Sequence, residues 1–214
     1  MITGGEIRRS SMQGLDGIRY SRKRPGITLV CFGRIEHELK DELLHSLGIL
    51  VDSIEDFIPT RPVVSCLHEP DPLRIPTVNQ EEAYFPLLEQ IGGNIVLGVT
   101  NTGFFDPSKS RHIFSYGYVG GKAVLSALRF RKESDTRHLF LERMGKQILK
   151  TLAMACTVSP CSDTGCIVSY HRWAKDLDRN QYVCEPCRQD LIRNLKFFLS
   201  VQQDKNSALI AEGD

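Results

Sequence analysis

Residues 142–161 read ERMGKQILKTLAMACTVSPC and say more about how the chain folds than any other stretch of the sequence. Apolar residues recur in it at helical spacing, and the pattern predicts one long helix over residues 135–156. The core-facing side of this helix is formed by Leu149, Leu152, Ala153, Ala155 and Cys156. A segment rich in cysteine follows directly and begins at Cys161, so the helix leads into the main chemical signal of the chain.

Ahead of this helix, short apolar runs alternate with amphipathic segments, which is the pattern of strands and helices that follow one another along a chain. The predicted strands cover residues 27–32, 62–67, 94–100, 113–118 and 124–130; the other predicted helices cover 36–50, 80–91 and 186–201. Residues 104–110 are predicted to form a loop, and Gly120-Gly121 the turn of a hairpin. Together these elements indicate an α/β fold with a sheet of mixed strand directions.

The composition is that of a globular chain. Of 214 residues 41% are hydrophobic and 25% charged, and the net charge is +1, so no overall field attracts nucleic acid or an anionic membrane. Residues 1–25 are predicted to be a basic extension, residues 26–201 a single α/β domain, and residues 202–214 a polar tail. No apolar run approaches the ~20 residues of a membrane helix and no export signal is recognisable, so a cytoplasmic protein with no membrane partner is expected.

Five of the seven cysteines lie between residues 156 and 187. The series Cys161-x4-Cys166-x17-Cys184-x2-Cys187 is typical of a closed zinc site, in which four thiolates surround Zn²⁺ at ~2.3 Å and leave no position for a substrate. One structural Zn²⁺ is therefore predicted at residues 161–187, where it would join the loop after the long helix to the last helix. Cys156 is the alternative to Cys161 as a ligand, although it continues the apolar side of the helix.

Three segments resemble the archaemetzincins, a family of metzincin-type zinc metallopeptidases. NIVLGVTNTGFFDP at 94–107 and SYGYVGGKAVLSALRFR at 115–131 are similar to segments of that family, and residues 142–161 fall on its active-site helix. The resemblance covers about residues 26–190. It implies a metzincin-like mixed β-sheet, a long active-site helix, a zinc-bound loop with four cysteines and a C-terminal helix.

The catalytic motif of that family, H-E-x-x-H-x-x-G-x-x-H-C, does not occur in this sequence. When the motif is aligned on Cys161, its three histidine positions hold Lys150, Met154 and Pro160. Its glutamate position holds Thr151, and its glycine position holds Thr157. The histidines of the motif hold zinc and the glutamate deprotonates its bound water. An ammonium repels a cation, a thioether is a poor ligand for Zn²⁺, and proline offers no donor. No catalytic residue is therefore assigned.

The sequence offers little evidence for other catalytic groups. No two of the six histidines are spaced i,i+4, and His171, the nearest to the position of the family's Met-turn, would be a single ligand. Cys31 and Cys66 lie within predicted strands and are interpreted as small core residues rather than as nucleophiles. The chain is therefore identified as a degenerate member of the archaemetzincin family.

Three functions are compatible with these observations. The preferred one is a non-catalytic pseudopeptidase that binds a protein or peptide partner by strand addition near residues 113–118, where Tyr116 and Tyr118 are candidate contacts, unless they only pack the hairpin. The second is an active zinc metallopeptidase with atypical ligands, which would hold two zinc ions instead of one. The third is a nucleic-acid-binding zinc module that uses residues 1–25; the excess of acidic residues elsewhere disfavours it.

The vacated cleft also leaves two alternatives. Met154 is expected to fill part of it, and Lys150 to carry its ammonium to the rim, where the charge can hold a partner's acidic side chain or C-terminal carboxylate. In the other alternative the cleft has collapsed and Lys150 is paired with an internal acid.

Overall fold

The computed structural model describes residues 26–54, 56, 62–72, 81–91, 93–106, 111–118 and 120–211. The predicted basic extension and residues 212–214 of the predicted tail lie outside these ranges. The elements are β1 (Gly26–Phe32), α1 (His37–Ile54), β2 (Val63–Glu69), α2 (Glu81–Gln90), β3 (Ile95–Thr100), β4 (Phe104–Asp106), β5 (Arg111–Ile113), β6 (Ser115–Tyr118), β7 (Lys122–Ser126), α3 (Leu128–Glu133), α4 (Arg137–Ala155), a 3₁₀ helix (Ala174–Asp178) and α5 (Glu185–Ala211).

A five-stranded sheet in the order β2-β1-β3-β7-β6 forms the centre of the fold. Its first four strands are parallel, and β6 pairs with β7 in the antiparallel direction. Every residue of β1 and β3 is buried, as expected for parallel strands that are covered on both faces. The turn between β6 and β7 contains Gly120 and Gly121, whose φ angles of 87° and 79° suit glycine. The predicted mixed α/β sheet and its hairpin are thus confirmed.

Helices cover both faces of the sheet. Helices α1, α4 and α5 bury their apolar sides in one large cluster with residues of β1, β3 and β7, while α2 places Tyr84 and Leu88 in a smaller cluster on the opposite face. Within the part of the chain that the structure describes, no helix combines the length and the apolar character needed to cross a membrane.

Three local predictions were wrong. The strand predicted over 124–130 ends at Ser126, and α3 follows it: the Ser126 hydroxyl accepts a hydrogen bond from the Leu128 amide (3.3 Å). The alternating apolar and basic residues of 128–131 imitate a strand. Residues 104–110, predicted as a loop, contain β4, which pairs with β5. Helix α5 continues beyond its predicted end at residue 201, because no glycine or proline interrupts residues 202–211.

Helix α4 is fixed at its N-terminal half by a buried arginine. The Arg143 guanidinium donates to both carboxylate oxygens of Asp178 (2.7 and 2.6 Å) and to the Glu133 carbonyl (2.7 Å). Such a bidentate pair is directional as well as attractive. Thr136 caps the start of the helix by accepting a hydrogen bond from the Leu139 amide (3.2 Å).

Candidate functional site

The four predicted zinc cysteines converge. Cys161 and Cys166 lie on the loop after α4, Cys184 directly precedes α5, and Cys187 is in its first turn. All four sulfur atoms lie within 4.8 Å of one another, and the Cys161 and Cys184 sulfurs are 3.6 Å apart. In a tetrahedral zinc–thiolate site this separation is about 3.8 Å, so the donor set fits Zn²⁺ in both chemistry and size.

The surrounding backbone supports this group. The Asp163 amide points at the Cys161 sulfur and the Cys184 amide at the Cys166 sulfur, each at 3.4 Å, as amides do around metal-bound thiolates. Cys156 does not belong to the group: it is fully buried at the end of α4 in the large core cluster. The alternative ligand set with Cys156 is therefore not the one that the fold brings together.

Helix α4 is followed by a left-handed residue, Thr157, at the position that the sequence alignment gives to the glycine of the family's motif. Thr157 has φ = 59°, in the left-handed region, where a β-branched residue is an outlier. The Thr157 amide donates to the Met154 carbonyl and the Val158 amide to the Ala153 carbonyl, both at 2.9 Å. These two bonds form a Schellman motif, in which glycine normally occupies the left-handed position. Asn194 steadies the turn by donating to the Cys156 carbonyl (2.7 Å).

A cavity of about 330 Å³ lies between α4, β6 and the loop that follows Cys166. The three residues that the sequence alignment sets at the histidine positions of the family's motif all line it: Lys150, Met154 and Pro160. The cleft has therefore not collapsed. Thr151, at the position of the catalytic glutamate, is buried outside the lining and donates its hydroxyl to the Gln147 carbonyl (2.8 Å).

Lys150 meets His171 on the wall of this cavity. The Lys150 ammonium donates to the Ser169 carbonyl and to the His171 Nδ1 atom, which lies 2.7 Å from Nζ. Burial lowers the pKa of Lys150 to about 8, and burial together with the Lys150 charge lowers the pKa of His171 to about 3. At neutral pH the site thus contains an ammonium and a neutral imidazole. The Lys150 ammonium lies inside the cleft, whereas the sequence analysis expected it at the rim.

Two deeply buried side chains in the cavity wall retain unused polar atoms. Among the described residues, His171 Nε2 and Gln147 Oε1 have no hydrogen-bond partner. His171 is 7% exposed and Gln147 is 0% exposed, so open solvent does not satisfy these atoms. The Gln147 amide nitrogen donates to the Ser115 hydroxyl (3.0 Å), which ties α4 to β6. The sequence analysis did not identify Gln147 as a candidate site residue, and it interpreted His171 as a single histidine that could not form a metal site.

Strand β6 is the outer edge of the sheet and borders the cavity. The Ser126 amide donates to the Phe114 carbonyl (2.8 Å), and this fixes the alternation of the antiparallel ladder. The main-chain groups of Ser115 and Gly117 therefore point away from β7, toward the open edge. On the cavity side Met154 packs against Gly117, where an added Cβ would lie only 2.5 Å from Met154 Cγ.

The rings of Tyr116 and Tyr118 lie on the other face of β6, although Tyr116 also belongs to the cavity lining. The Tyr116 ring contacts Phe104 with ring centres 5.4 Å apart, and the Tyr118 ring contacts Phe85 at 4.9 Å. Both rings pack against the smaller core cluster, as the packing alternative for these residues expects. The candidate binding feature of β6 is therefore its main chain beside the cavity. Which main-chain groups point outward depends on the pairing register of β6 with β7, and no sequence pattern reveals that register.

No family profile and no curated protein matches this sequence, but solved structures do. An archaemetzincin from Methanopyrus kandleri is 22% identical, with a TM-score of 0.63 over 84% of this chain and 99% of that one. An archaemetzincin from Archaeoglobus fulgidus, complexed with malonate, is 17% identical (TM-score 0.58; 77% and 99% covered). A zinc-dependent peptidase from Methanocorpusculum labreanum is 18% identical (TM-score 0.58; 78% and 100% covered). The chain therefore has the archaemetzincin fold.

Proposed function

We propose that this chain is a non-catalytic archaemetzincin-like protein that binds an extended segment of a protein or peptide partner along β6. The observation that carries this proposal is the composition of the cavity: the three positions aligned with the metal-binding histidines hold an amine, a thioether and a proline. Among the described residues, the groups of three or more potential ligands that lie close together are the four-cysteine group and Cys31–Cys66–His68. Neither is part of the cavity lining.

The remaining polar groups of the cavity do not replace the catalytic centre. His171 is one imidazole, and its Nδ1 atom already accepts from Lys150. The ammonium beside it opposes the approach of a dication. Thr151 has no basic group and is hydrogen-bonded within the helix. Metal-dependent peptide hydrolysis needs both a metal ion and a base that deprotonates its bound water, so metallopeptidase activity is not expected.

Strand addition does not need a metal. A peptide that pairs with the outward main-chain groups of Ser115 and Gly117 would run past the cavity mouth. There the Lys150 ammonium and the Arg172 side chain, both part of the lining, favour an occupant with a carboxylate. The malonate complex of the A. fulgidus relative shows that one protein of this fold accepts a dicarboxylate. We therefore propose an extended segment that bears an acidic side chain or a C-terminal carboxylate.

Fluorescence polarisation with short labelled peptides tests this proposal. Peptides with free C-terminal carboxylates are compared with amidated versions and with versions N-methylated at alternate residues, which cannot pair as a strand. We expect amidation and N-methylation each to weaken binding at least tenfold. Lys150→Met is expected to weaken binding by a similar factor and the exposed Lys132→Met to leave it unchanged. Binding that is absent, or insensitive to all of these changes, would remove the proposed mode.

The two other functions give different outcomes. An active peptidase with atypical ligands would hold a zinc ion in the cavity, which Lys150 and His171 variants would alter. The nucleic-acid alternative rests on residues 1–25, outside the described ranges, and a salt-dependent gel shift on generic RNA or DNA would support it.

A further inference from the structure

A second group of metal-type ligands lies on the opposite edge of the sheet from β6. Cys31 on β1 is directly opposite His68 on β2, and Cys66 precedes His68 by two residues. In paired strands these three positions share one face of the sheet. Their ligand atoms, two sulfurs and an imidazole nitrogen, all lie within 4.8 Å of one another.

The separations have the size of a coordination sphere. The Cys31 and Cys66 sulfurs are 3.7 Å apart, against about 3.8 Å for two thiolates on one tetrahedral zinc ion. Both cysteines are free thiols. Strands β1 and β2 are parallel neighbours, and every residue of β1 is buried, so the fold fixes the positions of the three residues before any ion arrives.

The burial of the three residues is graded from core to surface. Cys31 is fully buried, Cys66 is half-buried and His68 is exposed. An ion held by these three side chains would have protein on one side and solvent on the other.

We propose that Cys31, Cys66 and His68 form a second metal site, which takes a thiophilic ion, Zn²⁺ or Cu⁺. Two thiolates and an imidazole are soft and intermediate ligands that select these ions over Mg²⁺ or Ca²⁺. Zn²⁺ would complete its four ligands with a water molecule on the solvent side, whereas Cu⁺ is satisfied by three. This site is separate from the cavity and from the four-cysteine group, and it does not depend on the proposed function.

The sequence contains the signal for this site in the spacing Cys66-x-His68. Within a strand, residues two apart point to the same face, which is the arrangement a metal needs. The third ligand comes from a strand 35 residues away, so only the pairing of β1 with β2 brings it to the site.

Native mass spectrometry of the full chain tests the proposal. Protein that retains its four-cysteine zinc is incubated anaerobically, under reducing conditions, with excess Zn²⁺ or, in a separate arm, with Cu⁺. We expect the wild type to take up one ion more than the four-cysteine group accounts for, in at least one arm. Cys66→Ser and His68→Ala are expected to lose this ion or to bind it at least tenfold more weakly, with His45→Ala, at an exposed histidine on α1, as the unaffected control.

Both test variants are at the partly exposed end of the group, and their melting curves report whether they fold. Absence of an additional ion in both arms would overturn the proposal, as would its retention in both variants. An additional ion that both variants retain but that Lys150→Met or His171→Phe loses would lie in the cavity. This result would overturn the second site, because its ligands would not be needed, and it would also contradict the non-catalytic function.

Discussion

The Lys150 ammonium donates a hydrogen bond to the imidazole of His171 across 2.7 Å, at the place where an archaemetzincin sequence has its first metal-binding histidine. The two residues are 21 positions apart in sequence. The lysine disfavours a metal ion at this place in two ways: it occupies the Nδ1 atom of the imidazole, and its positive charge opposes the approach of a cation.

Acidification is expected to destabilise the protein through His171. Its pKa is about 3 in the folded chain and 6.5 without the fold, so between these values the unfolded chain binds more protons. The free energy of unfolding therefore rises with pH across this window and falls as pH is lowered, by up to about 1.4 kcal/mol per pH unit. Urea titrations at several pH values measure this slope.

His171→Phe keeps a ring of similar size and removes the titrating group, so its slope over the same window is expected to be smaller. His138→Ala removes an exposed histidine at the start of α4 and serves as the matched control. Equal slopes in all three proteins would mean that His171 is not the group responsible.

Thr157→Gly is expected to stabilise the protein. Thr157 has φ = 59°, a conformation that costs a residue with a Cβ roughly 1–2 kcal/mol and glycine almost nothing. After the larger chain entropy of unfolded glycine is subtracted, a gain of about 1 kcal/mol remains. Denaturant titration measures it. Thr157→Ala keeps the Cβ and is expected to show no gain, so similar values for the two variants would contradict the role of backbone strain.

Cys184→Ser is expected to release zinc and lower the melting temperature. Structural zinc contributes on the order of 10 kcal/mol to the folding of small zinc domains, and Cys184 belongs to the four-sulfur group. Cys156→Ala is the matched control: it removes a buried thiol outside the group and is expected to lose some packing energy with no change in metal content. Full zinc content in Cys184→Ser would exclude it as a ligand.

Gly117→Ala is expected to destabilise the contact between β6 and α4 by about 1–3 kcal/mol, the usual cost of overpacking. The added Cβ would lie 2.5 Å from Met154 Cγ, which is too close for two carbon atoms. The double variant with Met154→Ala removes the obstacle, so the cost of Gly117→Ala is expected to be much smaller in that background. A cost that is the same in both backgrounds would place its origin elsewhere.

Much of this architecture was predictable, because the responsible signals are local. Buried apolar runs identified β1 and β3, the Gly120-Gly121 pair identified the hairpin, and cysteine spacing identified the zinc group. Helix α3 was not predicted, because apolar and basic residues alternate over residues 128–131 as they do in a strand. In the folded chain, tertiary contacts override this local pattern and the segment is helical.

The parts of the site that could not be predicted depend on contacts distant in sequence. The approach of Met154 to Gly117 and of Lys150 to His171 requires the exact placement of α4 against β6 and the following loop. The alignment with a known motif indicated which ligands were missing, but it did not indicate what would occupy their place. Composition and periodicity carry no record of such pairings.

Peptide cleavage in excess zinc tests the central claim, that the cavity does not support metal-dependent catalysis. A mixed peptide library is incubated with the full chain and zinc, with and without a chelator, and the products are identified by mass spectrometry. We expect no cleavage above that of buffer, for the wild type and for Lys150→Ala alike. Cleavage by the wild type that a chelator abolishes, and that Lys150→Ala changes in rate, would contradict the account.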